Sequence, residues 1–236
     1  MIPRPQSHIV RSFDEALEQM DALLLAMVDG LVAQLDLIGP ALLKSPWRIN
    51  LDEIVAACQA NRDLFQQVEG SCSRLIALKQ PMADDLRRVI TAINVANDME
   101  RMGDLLKNIG RRVQSLVRAP EGLGFAELYL AVVGIQGLIQ KALSTRKAEW
   151  ALQAWSQEEQ VDAAYEAVLT HLTRRMGQSP DDVTNCTHLL LLAKDLERMA
   201  DHAVLIADSV VRQLTGKNLK HPANDNAPTT ERLLLP

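Results

Sequence analysis

Aromatic residues are scarce: Phe, Tyr and Trp make up 3% of the 236 residues, although 47% are hydrophobic. The apolar content is carried instead by residues such as Leu, Ala, Met and Val, a mixture that favours helix over sheet because unbranched side chains lose little freedom in a helix. Cysteine is also sparse. Cys58, Cys72 and Cys186 are odd in number and form no CxxC pair, so they read as free, buried thiols in a reducing compartment. No basic surplus exists: 25 Lys and Arg face 30 Asp and Glu, a net charge of −5 that argues against a nucleic-acid surface. The local run Arg111, Arg112 and Arg118 reads as a solvated helix end. The opening Met1-Ile2-Pro3-Arg4-Pro5 lacks the apolar core of a signal peptide. The richest apolar stretch, Leu23 to Leu43, is interrupted by Asp29, Gln34, Asp36 and Pro40, so no membrane insertion is expected. The expected location is cytoplasmic. No glycine-rich phosphate loop occurs, since Gly134-Ile135-Gln136-Gly137 sits inside a helical apolar pattern, and no nucleophile signature accompanies the Ser, His and Asp residues. The chain does not read as an enzyme.

Helical periodicity fills most of the chain. It predicts six long helices: Ser12 to Ile38, ending near Gly39-Pro40; Leu51 to Leu78, after a break at Ser45-Pro46; Pro81 to Arg118; Phe125 to Ser144; Lys147 to Met176; and Pro180 to Leu214. Pro81 suits a first helical position, with Asp84 and Asp85 following where they complement the helix dipole. Ser179 is the expected N-cap of the last helix and Gly216 its stop. Residues 217–236 show no periodicity and are expected to be disordered, Leu233-Leu234-Leu235 included.

A repeat organises these helices. Asp98-Met99-Glu100-Arg101-Met102-Gly103-Asp104 returns 97 residues later as Asp195-Leu196-Glu197-Arg198-Met199-Ala200-Asp201. The expected fold is all-α: two tandem three-helix bundles, residues 8–118 and 123–216. Met20, Met27, Met99, Met102 and Met199 read as core-filling side chains.

Within each motif a Glu and an Asp lie four apart and share one helix face. Folding each hairpin at its proline brings further acids to similar height. Asp63 is 18 residues before Pro81 and Glu100 is 19 after it; Asp162 and Glu158 are 18 and 22 before Pro180, with Glu197 and Asp201 17 and 21 after it. The second repeat thus offers Glu158, Asp162, Glu197 and Asp201, and the first Asp63, Glu100 and Asp104, Gln59 standing where Glu158 does. Such carboxylates need compensation. Spacing leaves two sources open: a bound hard or borderline cation, with Mg, Mn, Ca, Fe and Zn all admissible, or pairing with Arg101, Arg198 and Lys107.

The segment Lys79-Gln80-Pro81-Met82-Ala83-Asp84-Asp85-Leu86-Arg87, both copies of the acidic motif and the opening His8 to Leu17 together resemble the PhoU family, over about residues 8 to 216. The resemblance implies two three-helix bundles whose acidic motifs can hold multinuclear iron or zinc clusters. It also implies partnership with the ATPase subunit of the phosphate ABC transporter and with its sensor histidine kinase, restraining the phosphate-starvation response and phosphate uptake. Two positions depart from the family pattern: Leu205 stands where the first repeat keeps Asn108, and Gln59 stands where an acid is common.

A metal-free helical adaptor and a di-iron carboxylate enzyme are the competing readings. The enzyme class uses Glu-x-x-His, but Pro5, Val168, Asn185, Met199 and Asn218 precede the five histidines by three residues. His202 reads as a surface or core histidine. Trp150 and Trp155 fall on different faces of one helix, one buried and one at an interface. Long helices with more than one apolar face favour a homodimer.

Overall fold

The structure is a computed structural model and describes residues 6–43, 48–118, 120 and 122–219. Its helices are α1 (Gln6–Leu43), α2 (Leu51–Lys79), α3 (Asp84–Ser115), α4 (Phe125–Thr145), α5 (Ala148–Ser156), α6 (Glu158–Gln178) and α7 (Val183–Thr215), with one 3-10 turn, Pro180–Asp182. No strand occurs among the described residues. The expected six-helix plan holds, with the fifth helix broken at Gln157 into α5 and α6. The Gln157 N–H reaches both Gln153 and Ala154 carbonyls there, a tightened turn that lets α6 leave on a new axis. The Ser45-Pro46 break and the tail from Lys220, Leu233–Leu235 included, lie outside the described residues.

Three local signals act differently from their sequence reading. Gly39-Pro40 does not end α1, which continues to Leu43. Pro40 removes one N–H, but Asp36, four residues earlier, is exposed, so water can serve its freed carbonyl. Pro81 is not the first residue of α3. The turn places Gln80 (φ 47°) and Ala83 (φ 48°) in the left-handed region on either side of it, and α3 starts at Asp84. Ser179 makes no side-chain cap, because the 3-10 turn intervenes before α7. Gly216 does stop α7, at φ 74°, its N–H bonding the Arg212 carbonyl.

Helices α3 and α7 pack most extensively, α1 packs on α4, and a single hydrophobic core runs through both bundles. Met20, Met27, Met99, Met102 and Met199 are all fully buried in it. Polar contacts tie the halves together. Asp98 meets His202 Nδ1 at 3.1 Å, and Asp195 accepts from Arg112 Nε at 2.7 Å. Moving forward along α3, from 98 to 112, moves backward along α7, from 202 to 195, so the two helices cross antiparallel. Asn185 Oδ1 accepts from the backbone N–H groups of Val117 and Arg118. Within the basic run, Arg112 and the backbone of Arg118 therefore clasp the repeats together, while the side chains of Arg111 and Arg118 are exposed, as the sequence reading expected.

The three cysteines are free and buried. Trp155 is buried, whereas Trp150 is partly buried with Lys141 over its ring at 5.1 Å. By length and apolarity alone, Phe13–Leu43 and α4 are long enough to cross a membrane. Gln34 and Pro40, read in the sequence as interruptions, do not break α1. Both helices nevertheless pack into the bundles.

Candidate functional site

Burial fixes how the two repeats correspond. On the third helices the offset is 97: Met99 and Leu196, Met102 and Met199, and Ile109 and Ile206 are all fully buried. On α2 and α6 the buried positions Asn61 and Val161, Val68 and Val168, and Cys72 and Leu172 match at an offset of 100. The second hairpin is thus three residues shorter than the first, and counting from the prolines cannot align both of its helices. In this register Cys58 stands where Glu158 does and Arg62 where Asp162 does. Gln59 and Asp63 fall beside that alignment, not in it.

The first repeat is charge-balanced. Arg62 Nε and Nη2 donate to Glu100 Oε1 at 3.0 and 2.8 Å, and Nη2 also lies 3.1 Å from both oxygens of Asp104. Lys107 adds a second cation on Asp104, and the Cys58 thiol lies 3.7 Å from the same carboxylate. Asp63 is exposed and accepts from Gln59 Nε2 at 2.9 Å. Beside it a groove of about 810 Å³ runs between α1 and α2, lined by Gln19, Gln67 and Arg74 among others. Arg101 is exposed, and Lys107 is the one expected cation that does pair.

The second repeat carries more negative charge. Lys194 Nζ pairs with Glu197 at 2.5 Å and lies 5.4 Å from the centre of the Tyr165 ring. Burial pushes the Asp201 carboxyl above its ordinary value of 3.8, and the charges of Glu197 and Asp162 add to this against Lys194 and His202. Three carboxylates therefore act on one another with Lys194 as the nearest ammonium. Glu158 begins α6, one turn before Asp162. Arg198 is exposed. Among the described residues no three His, Cys, Asp or Glu side chains already stand in metal-holding geometry. The second repeat's charge excess suits a cation; in the first repeat a guanidinium occupies the equivalent place.

Asp104 is shifted oppositely to Asp201. Burial raises its carboxyl, but the bond to Lys107 and the charges of Lys107 and Arg62 outweigh this and bring it below its ordinary 3.8. A depressed carboxyl contributes stability above its unfolded value that is lost as pH falls through the folded one. For a raised carboxyl the favourable contribution is present below the unfolded value and is lost as pH rises through the folded one. At pH 7, with chelator present, Asp104→Asn should therefore destabilise the protein by about 0.5 kcal/mol, the half-buried side chain being partly screened by water. Asp201→Asn should stabilise it by about 0.3 kcal/mol, the size of a relieved i,i+4 repulsion. Urea titrations read both, and both differences should vanish once the pH lies below the two carboxyls' values. Changes of equal sign at pH 7 would contradict the charge assignment.

Sequence reasoning overlooked Arg62, Lys194 and the leading motif residues Asp98 and Asp195. For Arg62 a signal existed: it lies 19 residues before Pro81, as Glu100 lies 19 after.

Comparison with known proteins agrees with this architecture. The family model described as PhoU domain matches residues 49–113 and 127–210. A phosphate-specific transport system accessory protein PhoU homolog of Caulobacter vibrioides is 37% identical over 171 residues, 70% of this chain and 74% of that one. A homolog of the same description from Rhizobium meliloti is 31% identical over 214 residues, 89% and 90% of the two chains. The crystal structure of PhoU from Pseudomonas aeruginosa superposes with a TM-score of 0.73 at 26% identity, covering 86% of this chain and 99% of that one. The Streptococcus pneumoniae phosphate transport system regulatory protein PhoU, at 22% identity and a TM-score of 0.77, covers 89% of this chain and 100% of its own, and shares the fold.

Proposed function

Since the chain belongs to the PhoU family, we propose that it is an accessory protein of the phosphate-specific transport system that restrains the phosphate-starvation response and phosphate uptake. The observation that carries this reading is the doubled acidic motif, set on the two helices that join the repeats, in a chain matched across both repeats by accessory proteins of that description. The protein acts by contact. Its partners are the ATPase subunit of the phosphate ABC transporter and the cognate sensor histidine kinase, which it meets on the cytoplasmic side as a homodimer.

Glu158, Asp162, Glu197 and Asp201 are the residues that would hold a cation, iron or zinc in the first instance. Bound there it would neutralise the charge excess and tie α6 to α7. A restraining adaptor needs two states with different partner affinity, and a hairpin whose two helices repel until a cation joins them has that property.

The reading is tested by deleting the gene and measuring an alkaline phosphatase reporter of the starvation response in phosphate-rich medium. Expression should rise at least tenfold and return to baseline when the chain is supplied in trans. Normal repression in the deletion strain would overturn the assignment.

A further inference from the structure

The two repeats do not solve the same electrostatic problem in the same way. In the register set by burial, Arg62 on α2 stands in the place of Asp162 on α6, and Cys58 in the place of Glu158. Both exchanges remove an acid from the first repeat, and one of them supplies a cation. The guanidinium spans the motif pair, with donors 2.8 to 3.1 Å from Glu100 and from both oxygens of Asp104. Lys107 then brings two positive charges against two negative ones.

From this geometry we infer that the first repeat carries its cation covalently: the Arg62 guanidinium occupies the place of a metal, and the chain has one metal-responsive repeat rather than two. An arginine keeps its proton at any physiological pH. The α2–α3 hairpin is therefore closed permanently, while the α6–α7 hairpin, with Glu197, Asp201 and Asp162 against Lys194, waits for a cation from solution. The regulatory consequence is asymmetry: metal supply changes one half of the molecule and leaves the other fixed as its frame. Exposure fits this division, because Arg62 is partly open to water and a competing ion could reach the carboxylates if the guanidinium did not hold them.

This inference deepens the cation assignment proposed above, and its test separates the two. The full chain is stripped with chelator and titrated calorimetrically with Zn²⁺, with metal content measured after gel filtration and circular dichroism confirming helicity. The unaltered chain should bind one equivalent, and Asp201→Asn should remove it. In the Asp201→Asn background, Arg62→Asp should restore one equivalent at the first repeat, at least tenfold tighter than the parent, and Asp104→Asn should abolish it again. Arg62→Gln, which removes the charge and adds none, covers the case in which the acidic variant does not fold, and should also show binding that Asp104→Asn removes. If Asp201→Asn alone retains an equivalent that depends on Asp104, the first repeat is open and the inference fails, with the family's metal chemistry intact. If neither Arg62 variant gains an equivalent, the inference fails as well. If the unaltered chain binds nothing yet Arg62→Asp gains a site, the second-repeat assignment fails and the closed first repeat stands.

Discussion

Arg112→Ala should cost the protein about 3 kcal/mol, because it strands a buried carboxylate. Asp195 is 6% exposed and accepts from Arg112 Nε at 2.7 Å across the junction of the repeats. Removing the guanidinium leaves the buried Asp195 carboxyl without its partner, and that penalty exceeds what the pair contributed when intact. For a chain of this size the melting temperature should fall by about 6–12 °C. Arg111→Ala, one residue away on the exposed face, should stay within about 0.5 kcal/mol of the parent. Replacing both partners, Arg112→Met with Asp195→Leu, should recover most of the loss, since an apolar pair carries no desolvation penalty. Urea denaturation of the four proteins decides it. Equal stability of the Arg112 and Arg111 variants would mean that the junction is held by apolar packing alone.

That junction also shows what a sequence of this kind discloses. The six-helix plan was readable because Leu, Ala, Val and Met recur at helical spacing in long, strongly periodic segments, and because the two motif copies are identical at five of seven consecutive positions. The end signals misled where tertiary contact overrode them. Gly39-Pro40 has the composition of a stop, yet α1 runs through it. Pro81 has the composition of a helix start, yet the turn needs two left-handed residues around it before α3 begins. Neither outcome follows from a propensity, which records only local cost.

Within the candidate site, Glu100 with Asp104 and Glu197 with Asp201 followed from spacing, because four residues along a helix is one turn. The partner helix was harder to place. Its register depends on the hairpin turn, and the turns differ by three residues, so counting from each proline put Gln59 and Asp63 where Cys58 and Arg62 stand. A slip of one residue on a helix rotates a side chain by about 100°. That is why Asp63 faces Gln59 rather than Glu100, and why the countercharge came from Arg62 and Lys194 instead of Arg101 and Arg198. The arginines inside the motif project outward, whereas the motif's leading residues, Asp98 and Asp195, cross to the other repeat.

Gly39 has the structural role that its neighbour Pro40 obscured in the sequence, and Gly39→Ala should destabilise the protein by about 2 kcal/mol. A β-carbon there would lie 2.5 Å from Tyr129 Oη and 3.0 Å from Cζ. Tyr129 is buried and donates from its hydroxyl to the Leu35 carbonyl at 3.0 Å, joining α4 to α1 next to the proline. The phenol would have to move, at an overpacking cost of about 1–3 kcal/mol. Its displaced hydroxyl would then lack a partner, at about 1–3 kcal/mol more if no water reaches it. Against this stands the better helix propensity of alanine, about 1 kcal/mol. The sign of the net effect therefore rests on the phenol, and a double-mutant cycle isolates it. Tyr129→Phe alone should cost about 1 kcal/mol, the worth of one hydrogen bond. In that background Gly39→Ala should cost about 1 kcal/mol less than in the parent, since only the ring carbons remain in the way and the hydroxyl can no longer be orphaned. Chemical denaturation measures all four corners. If Gly39→Ala raises stability, as it would on an open helix face, or if its cost is unchanged without the hydroxyl, the close approach of Tyr129 to α1 is not what keeps glycine at this position.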